Sequence, residues 1–438
     1  MNSKNRTVLF FSFVALFFLA APTLVLYSQG YRVNWPPVGG QKLVVKTGGI
    51  FVKATPKQAD VYINGNLAKK TDFFFGSCLV ENLLPRNYEV AVKKDGYQSW
   101  QKTLPVQEKQ VTEAKRIVLF PQTLTLSALA KNIDSFFPSP DSSKIALKQN
   151  SSQGWELSIY DINNNVLSQL ATEDDFSKSG GQIQSLDWAK DSLSINLVIL
   201  DGGQKKYFNI GAQIAPSKPE STLAPASDAP TGSLAFASSG LTQYYIGPDG
   251  IVFKKDPLES APAKVSETPL PTDKDIAYKL WVFDQFVFAK AGADLYLYQP
   301  GSTQFVKIFN DLESDVVLSP DAKKVAYASN SEIWTMYIRE KTDQPKKSAG
   351  DKEFVARLSK KITGLSWFDS DYVIFLTGNS IKTAEIDDRG SVNIANLADI
   401  AGDQTGSPNP PTFAWNAADK DLFIFDGSTL YQAQVNTD

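Results

Sequence analysis

Turns centred on Asp141, Asp191, Ser238, Asp284, Asp321, Asp369 and Asp419 recur through the last three-quarters of this 438-residue chain, and carboxylates so repeated have the first claim to chemistry. Two of them at a working distance in one pocket would suit acid–base hydrolysis of a glycan or peptide bond. Lysine or tyrosine chemistry is also open, but histidine chemistry is not, because the chain contains no histidine. That absence removes Ser-His-Asp and Cys-His nucleophiles, histidine-held zinc or iron, and the usual base near neutral pH. A plainer reading fits the repetition better. In a Ser-Pro-Asp turn, proline presets φ and the aspartate accepts backbone N–H groups of the turn itself. The repeated aspartates are therefore expected to hold turns rather than to catalyse.

No other motif supplies a reaction. There is no glycine-rich phosphate loop and no Cys or His metal cluster, so no cofactor and no metal are expected. Asp161-Ile162-Asn163-Asn164-Asn165 lacks the glycine and closing glutamate of a calcium loop and reads as a hairpin turn. The arginine cluster and Asp-box repeats of sialidase-type hydrolases are missing, with only Arg116, Arg339, Arg357 and Arg389 in or beside the acidic part. The single cysteine, Cys78, excludes an internal disulfide and is expected to be a small buried thiol.

Charge points to surfaces rather than reactions. Residues 41–120 hold 13 lysines and arginines against 7 acids, whereas residues 121–438 hold 28 against 40. Lys53, Lys57, Lys69, Lys70, Lys93 and Lys94 form a candidate patch for an anionic lipid or wall polymer. The bland alternative is the solvated face of a small domain. No nucleic-acid partner is expected.

These residues need elements to position them. Val8 to Tyr27 is an uncharged run of about twenty residues, long enough as a helix to cross a bilayer of ~30 Å. Tyr27, Tyr31 and Trp35 follow where aromatic rings settle at an interface. A cleaved signal peptide has a shorter apolar region and a small-residue cleavage site, so a retained anchor is expected. Lys4 and Arg6 precede the span, which places residues 1–7 in a bacterial cytoplasm and the remainder outside. Residues 28–42 then read as a linker.

From 43 to 121 the chain alternates in short strands, with Asn64-Gly65 and Asp95-Gly96 supplying hairpin turns. Pro56-Lys57-Gln58-Ala59, VYING ending at Gly65, Leu83-Leu84-Pro85-Arg86-Asn87-Tyr88 and Gly96-Tyr97 resemble the PEGA domain, a small β-sandwich-like module of bacterial surface proteins. The resemblance implies a fold and surface or partner binding, with no catalytic residues. Gln58 and Arg86 stand where that pattern has glycine, so each turn must avoid positive φ or accept strain.

Over 122–438 the recurring unit is an apolar strand, a Pro/Asp/Ser turn and a second apolar strand, at steps of roughly 37–50 residues, which suits four-stranded propeller blades. LSIYDINNN, KYFNIG, LYLYQPGST, WTMYIREK and TAEIDDRG supply the later strands of several blades. Ser139-Pro140-Asp141 and Ser319-Pro320-Asp321 with their following strands resemble the WD-like repeats of Tol-type bacterial propellers. About seven blades are expected, closed by a strand from RIVLFPQTLTLSALA, because closure removes exposed edges. The insertions 211–233, 257–275 and 340–354 are rich in Pro, Ala, Ser and Lys and are expected as mobile filler between strands.

The fold class expected is mainly β: a transmembrane helix, a small sandwich and a propeller. The function expected is a membrane-anchored extracytoplasmic scaffold, non-enzymatic, whose propeller engages an envelope protein or a cell-surface glycan. Its one assigned partner is the bilayer through residues 8–27. A surface glycan or peptide hydrolase using propeller carboxylates is the alternative, and intramolecular docking of the acidic body on the basic module is a third reading.

Overall fold

In the computed structural model the described residues are 3–33, 35, 43–141, 143–176, 181–213, 219–222, 229–400 and 409–437. Parts of the expected cytoplasmic tail, of the linker 28–42 and of the insertion 211–233 lie outside them. Helix α1 (Ser3–Ser28) opens the chain, and its apolar stretch Thr7–Ser28 is long enough for a membrane anchor or a signal sequence. Its large apolar side chains are exposed along the whole span, as only a lipid-facing or a transient segment tolerates. Tyr27 carries the Arg32 guanidinium over its ring at 3.4 Å. A short ribbon, β1 (Tyr31–Val33) against β2 (Val44–Lys46), follows.

Seven strands then make two facing sheets. Strands β3 (Gly48–Thr55), β6 (Ser77–Leu83) and β9 (Val111–Val118) form the first in the order β6-β3-β9. Strands β4 (Asp60–Ile63), β5 (Asn66–Lys70), β7 (Asn87–Lys93) and β8 (Trp100–Pro105) form the second in the order β5-β4-β7-β8. Alternation supplies the core: Ile50, Val52, Val61, Val90, Val92 and Leu104 are completely buried between the sheets. Cys78 is half-buried against that core rather than inside it, because it sits on the edge strand β6, and burial raises its thiol pKa. The two replaced glycines part company. Gln58 adopts φ +58°, whereas Arg86 is absent from the positive-φ residues and stacks on Tyr88 at 4.9 Å. A left-handed non-glycine residue costs about 1 kcal/mol, so Gln58→Gly is expected to raise stability by about 0.5–1 kcal/mol. Equilibrium denaturation reads this directly, and a loss of stability would show the turn to be unstrained.

Beyond the sandwich, seven four-stranded sheets succeed one another as the blades of a propeller. Six are built from consecutive strands, blade 1 beginning at Ser135 and blade 6 at Ile362. The seventh takes three strands from the C-terminus and its fourth from β10 (Ser127–Ala130), which pairs antiparallel with Leu430–Gln434. The ring is closed as the sequence predicts. Apolar clusters bind neighbouring blades, and the one joining blade 7 to blade 1 packs Phe423, Phe425 and Leu430 on Phe136, Ile145 and Leu147. Tryptophans at the ends of three innermost strands add a tie between blades. Trp188 Nε1 donates to Phe137 O at 2.9 Å, Trp367 Nε1 to Val317 O at 2.9 Å and Trp415 Nε1 to Phe368 O at 2.7 Å, each reaching the preceding blade.

The recurrent turns behave as turn chemistry requires. Asp141 accepts from Ser139 Oγ and Ser143 N, Asp321 from Ser319 Oγ and Lys323 N, and Asp369 from Asp371 N and Tyr372 N. Asp161 likewise caps its hairpin through Asn164 N.

All three insertions depart from the expected filler. The fourth strands of blades 2 and 3, Glu220–Thr222 and Ala263–Lys264, lie inside 211–233 and 257–275, and Ser266 and Leu270 are buried. An outermost strand needs only backbone pairing and tolerates polar residues, which hid it from an apolar pattern. Residues 340–354 are not filler either. The bridge Lys341↔Lys347 folds them back, and Lys347 binds buried Glu353 on its own blade and Asp388 on the next at 2.7 Å.

Candidate functional site: the sandwich–propeller interface

Strand β8 reads Trp-Gln-Lys-Thr-Leu-Pro, and its alternate residues Trp100, Lys102 and Leu104 all face inward. A lysine in such a row is anomalous, since a buried ammonium requires a partner. β8 and β9 are the edge strands of the two sheets on the same side of the sandwich, so their edges lie open together. Blade 6 covers them. It presents the turn before Tyr372, the end of its third strand at Glu385 and the following turn through Asn393.

Glu385 is the hub. Its carboxylate accepts from Lys102 Nζ at 2.6 Å, Trp100 Nε1 at 2.8 Å, Asn393 N at 2.9 Å and Asn393 Nδ2 at 2.6 Å. The Lys102 and Glu385 side chains are 0% and 5% exposed. Lys102 Nζ also donates to the Asp387 carbonyl at 2.5 Å. Burial pushes the Asp387 carboxyl upward, but the Arg389 hydrogen bonds and the Lys102 charge outweigh it and hold the pKa below the usual aspartate value. Arg389 in turn donates to Glu113 O on β9 at 2.8 Å.

Around this hub the contacts continue. Gln98 and Asn396 exchange two bonds, Nε2 to O at 2.6 Å and N to Oε1 at 3.2 Å. Gln344, from the folded-back insertion of blade 5, takes Glu113 N and gives to Val111 O, both at 3.1 Å, and so extends the edge of β9. Arg116 binds Asp371 at 2.6 Å near the rim. Phe120 supplies the apolar part, with its ring 5.0 Å from Phe368 and 5.5 Å from Tyr372. Buried Tyr372 accepts from Val118 N at 3.1 Å, and burial followed by the Glu385 charge raises its phenol pKa well above the ordinary value. Burial likewise raises Asp369 to about 6.

A narrow cleft between the two bodies is lined by Arg116, Lys341, Asp343, Asp371, Asp387 and Arg389. Here four carboxylates meet in one place, which a hydrolase would need. Each already faces a cation: Asp371 and Asp343 face Arg116, Glu385 faces Lys102 and Asp387 faces Arg389. Carboxylates so paired tie the two bodies together. Among the described residues, no group of three or more Cys, Asp or Glu is gathered as a metal site.

Residues 47–118 match the PEGA domain. The match covers the sandwich alone, and the propeller rests on its own seven sheets. No curated protein matches the chain. Among solved structures it is similar to YCF48 bound to D1 peptide (12% identity, TM-score 0.40, covering 72% of this chain and 95% of that one). It is also similar to YCF48 from Cyanidioschyzon merolae (9%, 0.39, 70% and 98%) and to streptogramin B lyase (10%, 0.40, 72% and 98%). No enzyme family is indicated.

The lysines singled out in the sequence lie elsewhere, on the PEGA-like sandwich. Lys94 Nζ donates to Lys57 O at 2.6 Å, Lys69 Nζ to Leu79 O at 2.6 Å, Lys70 stands 3.7 Å from Asp60, and Lys93 lies over the Tyr62 ring at 5.1 Å. Lys53 pairs across from Ser77 at the start of β6. None joins the interface. The sequence signal for Lys102 was its parity with Trp100 and Leu104.

Proposed function

We propose that this protein is a membrane-anchored, extracytoplasmic scaffold whose propeller engages an envelope protein or a cell-surface glycan. The observation that carries the reading is which side of the propeller the sandwich occupies. Asp371, Glu385, Asn393 and Gln344 all belong to the side on which each blade's first strand ends and its fourth begins. The opposite rim carries no sandwich contact among the described residues. There, at the junction of blades 5 and 6, Glu313, Asp315, Ser329 and Lys361 line an open cavity. Propellers present recognition loops on such a rim, and the apolar α1 supplies the anchor for them.

Two measurements test this. Protease added to intact cells is expected to digest the body, and full protection would reverse the orientation. A photo-crosslinking residue at Ser329 in the full chain is expected to capture a protein or glycan from native envelopes, whereas the same probe at Lys323, on the sandwich side, captures none. Equal capture at both positions would overturn the assignment of the rim.

A further inference from the structure

The end of the sandwich farthest from α1 carries a feature that the scaffold reading leaves unused. Between β5 and β6 the chain turns through Phe73-Phe74-Phe75, whose three side chains are 65%, 74% and 73% exposed. Three consecutive water-facing phenylalanines are costly to keep in water, roughly 1.5–3 kcal/mol each relative to a buried position.

The turn is held in this shape. Asp72 accepts from Phe74 N at 2.9 Å, Phe75 N at 2.7 Å and Ser77 N at 2.9 Å. Those bonds, the Phe75 and Ser77 donors foremost, hold its carboxyl at about 2. Gly76 closes the turn at φ +66°, where a Cβ would stand 2.6 Å from Ala54 O. The rings are therefore displayed by the backbone, with no core contact pulling them out.

Strand direction gathers charge at the same end. β3, β5 and β7 run toward it, so Lys53, Lys69, Lys70 and Lys93 arrive near their upper ends, and Lys57 and Lys94 lie in the turns that follow. The sequence scatters these six lysines over residues 53–94, and the sandwich brings them round one tip. Aromatic rings ringed by lysine ammoniums form the composition that enters a headgroup layer: the rings reach the acyl boundary while the cations meet lipid phosphates.

We propose that the Phe73–Phe75 tip is an insertion site for an anionic phospholipid surface. The geometry also says which surface. α1 joins the sandwich at the other end, where Gly30 O accepts from Thr47 N at 2.8 Å and Arg32 bonds Asn82, near the end of β6, at 2.7 Å. β6 spans seven residues between Asn82's end and the tip, about 20 Å at ~3.3 Å per residue. The tip thus stands about 20 Å from where α1 leaves its bilayer, at the far end of the sandwich, and is free there to meet a second one. The interaction is independent of what the propeller rim binds, so either can fail alone.

The test reconstitutes the full chain through α1 into phosphatidylcholine vesicles with the body outward. Protein-free, dye-labelled acceptor vesicles containing phosphatidylglycerol are added and separated by flotation. The wild type is expected to carry acceptor vesicles with it, less so as salt rises. The Phe73→Ser/Phe74→Ser/Phe75→Ser variant should lose this by more than about tenfold, since insertion of even one ring contributes over 1.4 kcal/mol. Its unfolding midpoint should stay put, because the rings touch no core. Lys69→Gln/Lys70→Gln should weaken recruitment, and phosphatidylcholine acceptors should recruit poorly. No recruitment by the wild type, or equal recruitment by the triple variant, overturns the site. Equal recruitment of both acceptor types overturns the role of the lysines.

Discussion

Lys102→Ala is expected to destabilise the folded chain by about 3–5 kcal/mol and to free the sandwich from blade 6. The charge removed is fully buried, and Glu385 would be left inside the interface with only Trp100 and Asn393 as donors. Desolvation of an unpaired carboxylate is what makes the loss large; the pair itself contributes less than its Coulomb energy suggests. The double variant Lys102→Met/Glu385→Leu should therefore recover much of the loss, because it leaves no orphaned charge. Denaturant unfolding of the two single variants and the double gives the coupling energy, and limited proteolysis between 121 and 126 reports release of the sandwich. Arg116→Ala provides the contrast. Its side chain is 46% exposed, so loss of its bond to Asp371 should cost no more than about 1 kcal/mol. Equal effects at Lys102 and Arg116 would mean that burial does not set the strength of this interface.

A second large effect is expected at ring closure. In an antiparallel ladder successive N–H groups point to opposite sides, so of Ser127 and Ala128, paired with Gln432 and Tyr431, one must donate to the last strand. Proline at both positions removes that bond whichever it is. β10 is only half-buried at best, so it closes the ring mainly through its backbone. The double variant should lose about 2–4 kcal/mol and expose the edge of Leu430–Gln434. An open edge pairs with other chains, so size-exclusion chromatography should show concentration-dependent association beside the lowered unfolding midpoint. An unchanged midpoint and a monomeric profile would mean that blade packing alone, through Phe136 and Phe425, keeps the ring shut.

The elements that were legible in the sequence share one property: their signal is local. The apolar run of α1, the alternating strands before Asn64-Gly65 and Asp95-Gly96, and the aspartate turns each lie within a dozen residues. The interface was legible only in part. Charge asymmetry between the basic module and the acidic body suggested that they meet. The contact itself, however, relies on a few buried groups, Lys102, Glu385, Trp100 and Asn393, and not on the summed field of either body. The insertion 340–354 reads as filler because its composition is polar, yet Gln344 and Lys347 find partners on three separate parts of the fold.

Taken alone, the sequence determined a helix able to enter a membrane, a sandwich whose turns follow PEGA spacing, and a ring of about seven repeating hairpins, because each follows from periodicity and turn residues. It also determined that histidine chemistry is absent. Only the tertiary structure decided what those parts face. It placed the inward lysine of β8 against a glutamate 283 positions away in the chain, left one propeller rim open, and drew six scattered lysines and three phenylalanines to one tip. The physical reason is that pairing of strand edges and burial of charge depend on neighbours that are distant in sequence, and no local pattern records them.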